Sequence, residues 1–175
     1  MSGKLYLVID VDRCWGCKNC ITACKMSKNI PVGEGCIDVA TVERLEGDRV
    51  YRDRAPVLCL QCGEAACEAA CPVQAISHDG DGIVLVDRDL CVGCGSCADA
   101  CPYGAIFLDE DNKAMKCDLC KERRSRGFLP SCEQHCCGHA LVTCGEEELM
   151  ERTRHKHVFQ KGQVVYISER LRTLG

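Results

Sequence analysis

The chain has 175 residues, 19 of them cysteine, a formal net charge of −4 and only 5% aromatic residues. An acidic balance with no basic excess argues against general nucleic-acid binding, and no apolar run approaches the roughly 18 residues that cross a bilayer as a helix. So few aromatics leave side-chain packing short of organising a fold, and so much cysteine points to disulfides or metal.

At the N-terminus a single basic residue, Lys4, precedes an apolar run over residues 5–9, with no twin arginine. This fails as a secretory signal, so the expectation is a cytoplasmic chain with reduced cysteines. The odd cysteine count also speaks against a disulfide framework. A strand over residues 5–11 enters the first cysteine group, Cys14, Cys17, Cys20 and Cys24, with gaps of two, two and three residues. Strands over 36–45 and 50–57 flank a hairpin turn at Glu46-Gly47-Asp48. The second group is Cys59, Cys62, Cys67 and Cys71, with gaps of two, four and three and Pro72 behind it. Strands over 75–77 and 83–87 then make a hairpin around Gly80-Asp81-Gly82. The third group, Cys91, Cys94, Cys97 and Cys101, repeats the spacing of the first and is followed by Pro102. Strands over 105–108 and 114–116 lead to the fourth group, Cys117, Cys120, Cys132 and Cys136, which has eleven residues inserted in its middle. A strand over 140–143 follows. A helix over 146–155 opens acidic and closes basic, as the helix dipole prefers, and a last strand covers 164–167.

The spacing selects the metal. The first and third groups match the bacterial ferredoxin run, in which three cysteines wrap one iron–sulfur cluster and the fourth ligates the other cluster of a pair. Gly16, Gly93 and Gly95 suit such tight loops because glycine accepts positive φ. The fourth cysteine lies about one helical turn further on and so points away from its own loop. A structural zinc site usually joins two separated C-x2-C knuckles, which four cysteines inside eleven residues fit poorly. The tails repeat too: Cys71-Pro72-Val73-Gln74-Ala75-Ile76 aligns with Cys101-Pro102-Tyr103-Gly104-Ala105-Ile106, and Cys136 keeps the same frame to Ala140 and Leu141. The expected fold class is therefore α+β, built of ferredoxin-like modules with short strands and short helices.

Four such groups, with an insertion inside the fourth, resemble the four-cluster iron–sulfur electron-transfer subunits of molybdopterin and tungstopterin oxidoreductases, the dimethyl sulfoxide reductase-type family. The resemblance covers about residues 4–145. It implies four [4Fe-4S] clusters and a nested pairing of groups. Cys14, Cys17 and Cys20 would share a cluster with Cys136, and Cys117, Cys120 and Cys132 one with Cys24. Cys59, Cys62 and Cys67 would share one with Cys101, and Cys91, Cys94 and Cys97 one with Cys71. Residues 1–54 plus 111–145 would form an outer module, 55–110 an inner one, and 146–175 a helix–strand extension that could serve in docking. Spacing alone leaves open a sequential pairing of the first group with the second and the third with the fourth. Cys137 stands where the family commonly has proline; Cys136 keeps the spacing and is taken as the ligand.

With every ligand a cysteine, such clusters suit outer-sphere electron transfer rather than substrate binding, and no nucleotide or flavin fingerprint assigns catalysis to the chain. The implied partners are a catalytic molybdenum- or tungsten-pterin subunit, a tungsten aldehyde oxidoreductase among the candidates, and a further electron-carrier subunit. A relay with opposite entry and exit ends also suits head-to-tail stacking. The competing reading is an accessory electron-transfer or maturation protein of a hydrogenase or formate dehydrogenase. Each all-thiolate cluster carries about −2 when oxidised, and buried anions need compensation. Lys18, Lys25, Lys116, Lys121, Arg123, Arg124 and Arg126 lie near ligands in sequence. The basic stretch 121–128 reads equally as a docking loop or as charge balance on a solvated loop. Trp15 reads as a cluster shield, Cys36 and Cys144 as buried apolar residues, and the five histidines show no ligand spacing.

Overall fold

The computed structural model describes residues 4–170. The apolar run at the start becomes β1 (Tyr6–Asp10), every residue of which is buried. Short ladders follow in the predicted order: the hairpin β2 (Ile37–Glu46) and β3 (Arg49–Leu58), the hairpin β4 (Ile76–His78) and β5 (Val84–Val86), and the hairpin β6 (Ile106–Leu108) and β7 (Ala114–Lys116). The chain then adds β8 (Leu141–Cys144), β9 (His157–Lys161) and β10 (Val164–Ser168). Helices α1 (Asn19–Lys28), α2 (Ala66–Ala69), α3 (Ser96–Asp99), α4 (Lys121–Ser125), α5 (Ser131–Gln134) and α6 (Glu146–Thr153) complete a mixed α and β chain.

β8, β1, β10 and β9 form one four-stranded sheet in that order. β1 pairs parallel with β10, Leu7 opposite Val164, and antiparallel with β8, Tyr6 opposite Cys144. Period-two alternation sorts the side chains. Leu7, Ile9, Val164 and Tyr166 enter the main core, while Tyr6, Val8, Val165 and Ile167 pack with Leu149 of α6 on the other face. Residues 146–175, set apart by sequence as an extension, thus place β10 between β1 and β9. The strand β9 went unpredicted because His157–Lys161 is exposed throughout and shows no apolar alternation.

The two short hairpins repeat each other in detail. The Asp79 carboxylate accepts from the N–H groups of Asp81 and Ile83, and Asp109 accepts from those of Asp111 and Lys113. Gly82 and Asn112, the residue types that tolerate it best, hold the positive φ each turn requires. The insertion in the fourth group is helical at α4 and is tied inward. The Lys121 ammonium lies 2.5 Å from Asp79, and the Arg124 guanidinium 3.7 Å from Asp81. Burial works against ionisation of Asp79, but Lys121 and the Ile83 and Asp81 N–H groups outweigh it and lower its pKa. The stability this tie supplies is complete above the ordinary aspartate value of 3.8 and is lost as pH falls through the lowered native value. Lys121→Met and Asp79→Asn, made singly and together, should show a coupling energy of about 0.5–1 kcal/mol in oxygen-free urea unfolding at neutral pH; additive effects would refute the tie.

Candidate metal centres

Each cysteine group folds as a loop closed by the start of a helix. Left-handed residues bend the loops: Gly16 and Lys18 in the first, Gln61 in the second, Gly93 and Gly95 in the third, Leu119 and Cys120 in the fourth. Among these, Gly93 also needs its missing side chain, because a Cβ there would lie 2.1 Å from the Asn112 carbonyl oxygen. The third cysteine of each group, Cys20, Cys67, Cys97 or Cys132, sits in the first turn of α1, α2, α3 or α5. The fourth follows one turn later.

The thiols of different groups meet. Cys14 and Cys20 lie within electrostatic reach of Cys17 and Cys136. Cys62 and Cys67 lie within reach of Cys59 and Cys101, and these four line one pocket of about 1020 Å³, part of it open to solvent. Cys97 lies within reach of Cys91 and Cys71, and these three line a smaller space of about 320 Å³ with Cys94. Cys117, Cys120 and Cys132 all lie within reach of Cys24. Small apolar residues pack around the inner thiols: Ala65, Ala75, Ile76, Val84, Ile106 and Ala114.

A repeated main-chain hydrogen bond marks the fourth cysteines. The N–H of Ala75 donates to Cys71 Sγ at 3.2 Å, that of Ala105 to Cys101 Sγ at 3.5 Å, and that of Ala140 to Cys136 Sγ at 3.2 Å. Such a donor favours the thiolate. Cys137 is exposed, and its sulfur instead meets the Asn19 side chain at 3.4 Å. Cys24 lacks an alanine four residues on, because α1 runs unbroken to Lys28 and uses that N–H within the helix. The Cys36 thiol takes over, and its side-chain hydrogen bond lowers Cys24 while raising Cys36 itself. Cys36 is buried as expected, but sequence reading missed this contact because Cys36 lies in the bend before β2, twelve residues beyond Cys24 of α1.

Burial raises several of the other thiols. It pushes Cys20 up to about 11 and Cys132 well above the ordinary thiol value. Clustered thiols that resist ionisation alone deprotonate on binding a cation, so occupancy is coupled to proton release. Among the described residues no three His, Cys, Asp or Glu side chains are placed to hold a single metal ion. Thiol sets spread around a small space, with N–H donors aimed at sulfur, fit a cluster whose iron atoms sit at the corners of a cube.

Other expectations are resolved by position. Trp15, read as a shield, is 67% exposed, because its loop turns the indole outward beside Gly138. His78 is structural, with Nδ1 2.8 Å from Glu68 and Nε2 3.0 Å from the Cys62 carbonyl. Among the cations near ligands, Lys25 reaches the Pro31 carbonyl, Arg123 stacks on Phe128, Arg126 pairs with Glu122, and Lys116 alone is buried. No helix among the described residues is long and apolar enough to cross a membrane.

Comparison with known proteins bears on the same cysteines. The 4Fe-4S dicluster domain model matches residues 50–146, more than half of the chain, and a 4Fe-4S binding domain matches residues 11–27. A tetrathionate reductase subunit of Salmonella typhimurium is 37% identical over 139 residues, covering 78% of this chain and 56% of that protein. Its counterpart in Archaeoglobus fulgidus is 40% identical over 126 residues, covering 70% and 58%. The chain therefore spans a little over half the length of these two relatives. A probable anaerobic dimethyl sulfoxide reductase chain of Escherichia coli, YnfG, is 36% identical over 163 residues, covering 87% of this chain and 78% of that one. With its ferredoxin-type loops, its repeated N–H donors to sulfur and these relatives, the chain belongs to the family of 4Fe-4S iron–sulfur subunits of molybdopterin oxidoreductases.

Proposed function

We propose that this chain relays electrons through four [4Fe-4S] clusters between a catalytic molybdenum- or tungsten-pterin subunit and a second carrier, and performs no substrate chemistry itself. The ligand sets are Cys14, Cys17, Cys20 and Cys136; Cys24, Cys117, Cys120 and Cys132; Cys59, Cys62, Cys67 and Cys101; and Cys71, Cys91, Cys94 and Cys97. The observation that carries this reading is the meeting of each three-cysteine loop with the fourth cysteine of another group. Bound clusters supply one-electron acceptance and donation without an open coordination position. The chain's own part is to hold sixteen thiolates, aim N–H donors at some of them and bury half of them from water.

Nesting explains the sheet. The inner module, about residues 55–110, is contiguous, whereas the outer one joins the first and last groups, whose entering strand β1 and leaving strand β8 pair side by side. Exposed apolar residues lie beside several ligand loops, among them Trp15 at the first group, Leu90 and Val92 at the third and Phe128 and Leu129 at the fourth, which suits more than one site of electron exchange. Residues 146–175 offer the exposed edge strand β9 for docking.

Oxygen-free affinity purification should yield about sixteen iron and sixteen acid-labile sulfide per chain, with a stoichiometric larger subunit containing molybdenum or tungsten. A chain eluting alone, with full iron, would favour the maturation reading. A chain holding zinc and no sulfide would refute both.

A further inference from the structure

Lys116 ends β7 and immediately precedes Cys117. Along this three-residue strand Ala114 and Lys116 face inward while Met115 between them is half-buried, so period-two geometry drives a lysine into the interior. It is 4% exposed. An ammonium has three N–H donors and no acceptor, and this one meets three acceptors. They are the carbonyl oxygen of Val84, that of Cys117 at 3.0 Å, and the sulfur of Cys59 at 3.7 Å. Among the described residues no carboxylate lies within ion-pair distance of it.

A buried cation without a counter-ion is unfavourable, and a methionine would fill the same space without that penalty. Fastening alone does not account for the charge. Buried Gln61 already ties the same two segments, donating to the Cys117 carbonyl at 2.7 Å and accepting from the Val84 N–H at 2.9 Å. What remains to compensate the ammonium is negative charge on sulfur. Lys116 touches Cys59 and acts electrostatically on Cys67, two members of one ligand set. It also stands where Cys59 approaches Cys117, a member of the neighbouring set. Adding an electron to a cluster adds negative charge, and a fixed cation in a low-dielectric site stabilises that state.

On the four-cluster reading above, we propose that Lys116 is a positioning residue at the junction of the inner and outer modules, whose fixed charge raises the reduction potential of the cluster held by Cys59, Cys62, Cys67 and Cys101.

The test is an oxygen-free redox titration followed by electron paramagnetic resonance, with iron and sulfide measured on the same full-length samples. Lys116→Met should keep full iron and move one cluster signal to lower potential, leaving the others in place. Gln61→Met, which removes the neutral tie, should leave that potential where it was, and Lys116→Arg should restore it. Unchanged potentials in Lys116→Met, or an equal shift in Gln61→Met, would overturn the proposal. If Lys116→Met loses one cluster outright, retention in Lys116→Arg supports the role of charge, and loss in both overturns it. A wild-type chain without four clusters would sink the underlying reading before any variant is compared.

Discussion

Replacing Cys136 by serine is expected to remove about a quarter of the iron, whereas the same change at its neighbour Cys137 leaves the iron count unaltered. The two cysteines are adjacent in sequence but differ in every physical respect. Cys136 is half-buried, lies within reach of Cys14 and Cys20, and accepts the Ala140 N–H as Cys71 and Cys101 accept theirs. Cys137 is exposed and faces Asn19. Serine is nearly isosteric but a poor iron ligand beside thiolates, so the loss should fall on one cluster, the one shared with the first loop. Iron and sulfide assays on oxygen-free protein decide the matter, and iron lost from the Cys137 variant in place of the Cys136 variant would reverse the assignment.

The second large effect is expected far from any cysteine in sequence. Gly162, in the turn between β9 and β10, has φ near 57°, and a Cβ there would lie 2.3 Å from both the Leu60 and the Gln61 carbonyl oxygens. Those oxygens are main-chain atoms of the loop between Cys59 and Cys62, so they cannot move without moving ligands. The next residue reinforces the clamp, since the Gln163 N–H donates to the Leu60 carbonyl at 3.1 Å. Gly162→Ala should therefore destabilise the chain by about 3 kcal/mol, combining left-handed strain with a displaced loop, and should lower the occupancy of the cluster held by Cys59. Gly47→Ala is the matched control. Its φ is 60° but nothing lies within 4 Å of the added carbon, so it should show only the strain, about 1 kcal/mol. Thermal unfolding under argon with iron analysis compares the two, and equal losses would show that the turn does not hold the ligand loop.

These two cases mark the limits of what could be read from the chain alone. Thiol spacing is a local property: a third cysteine in the first turn of a short helix and a fourth one turn later follow from helical pitch, so the ligand residue types and the cluster chemistry were legible. So were the hairpins at residues 75–87 and 105–116, because aspartate and a glycine or asparagine mark both turns. β9 escaped because an exposed edge strand has no apolar face to give it away.

Sequence by itself determined the 4Fe-4S ferredoxin-type character of the cysteine groups and which short elements carry them, since each of those facts depends on residues within one or two turns of one another. Only the tertiary structure decided which loop each fourth cysteine faces, why Cys36 rather than a main-chain N–H serves Cys24, which of seven neighbouring cations is buried, and that a strand near the C-terminus lies against the first. Those are distances between segments far apart along the chain, and packing, not spacing, sets them.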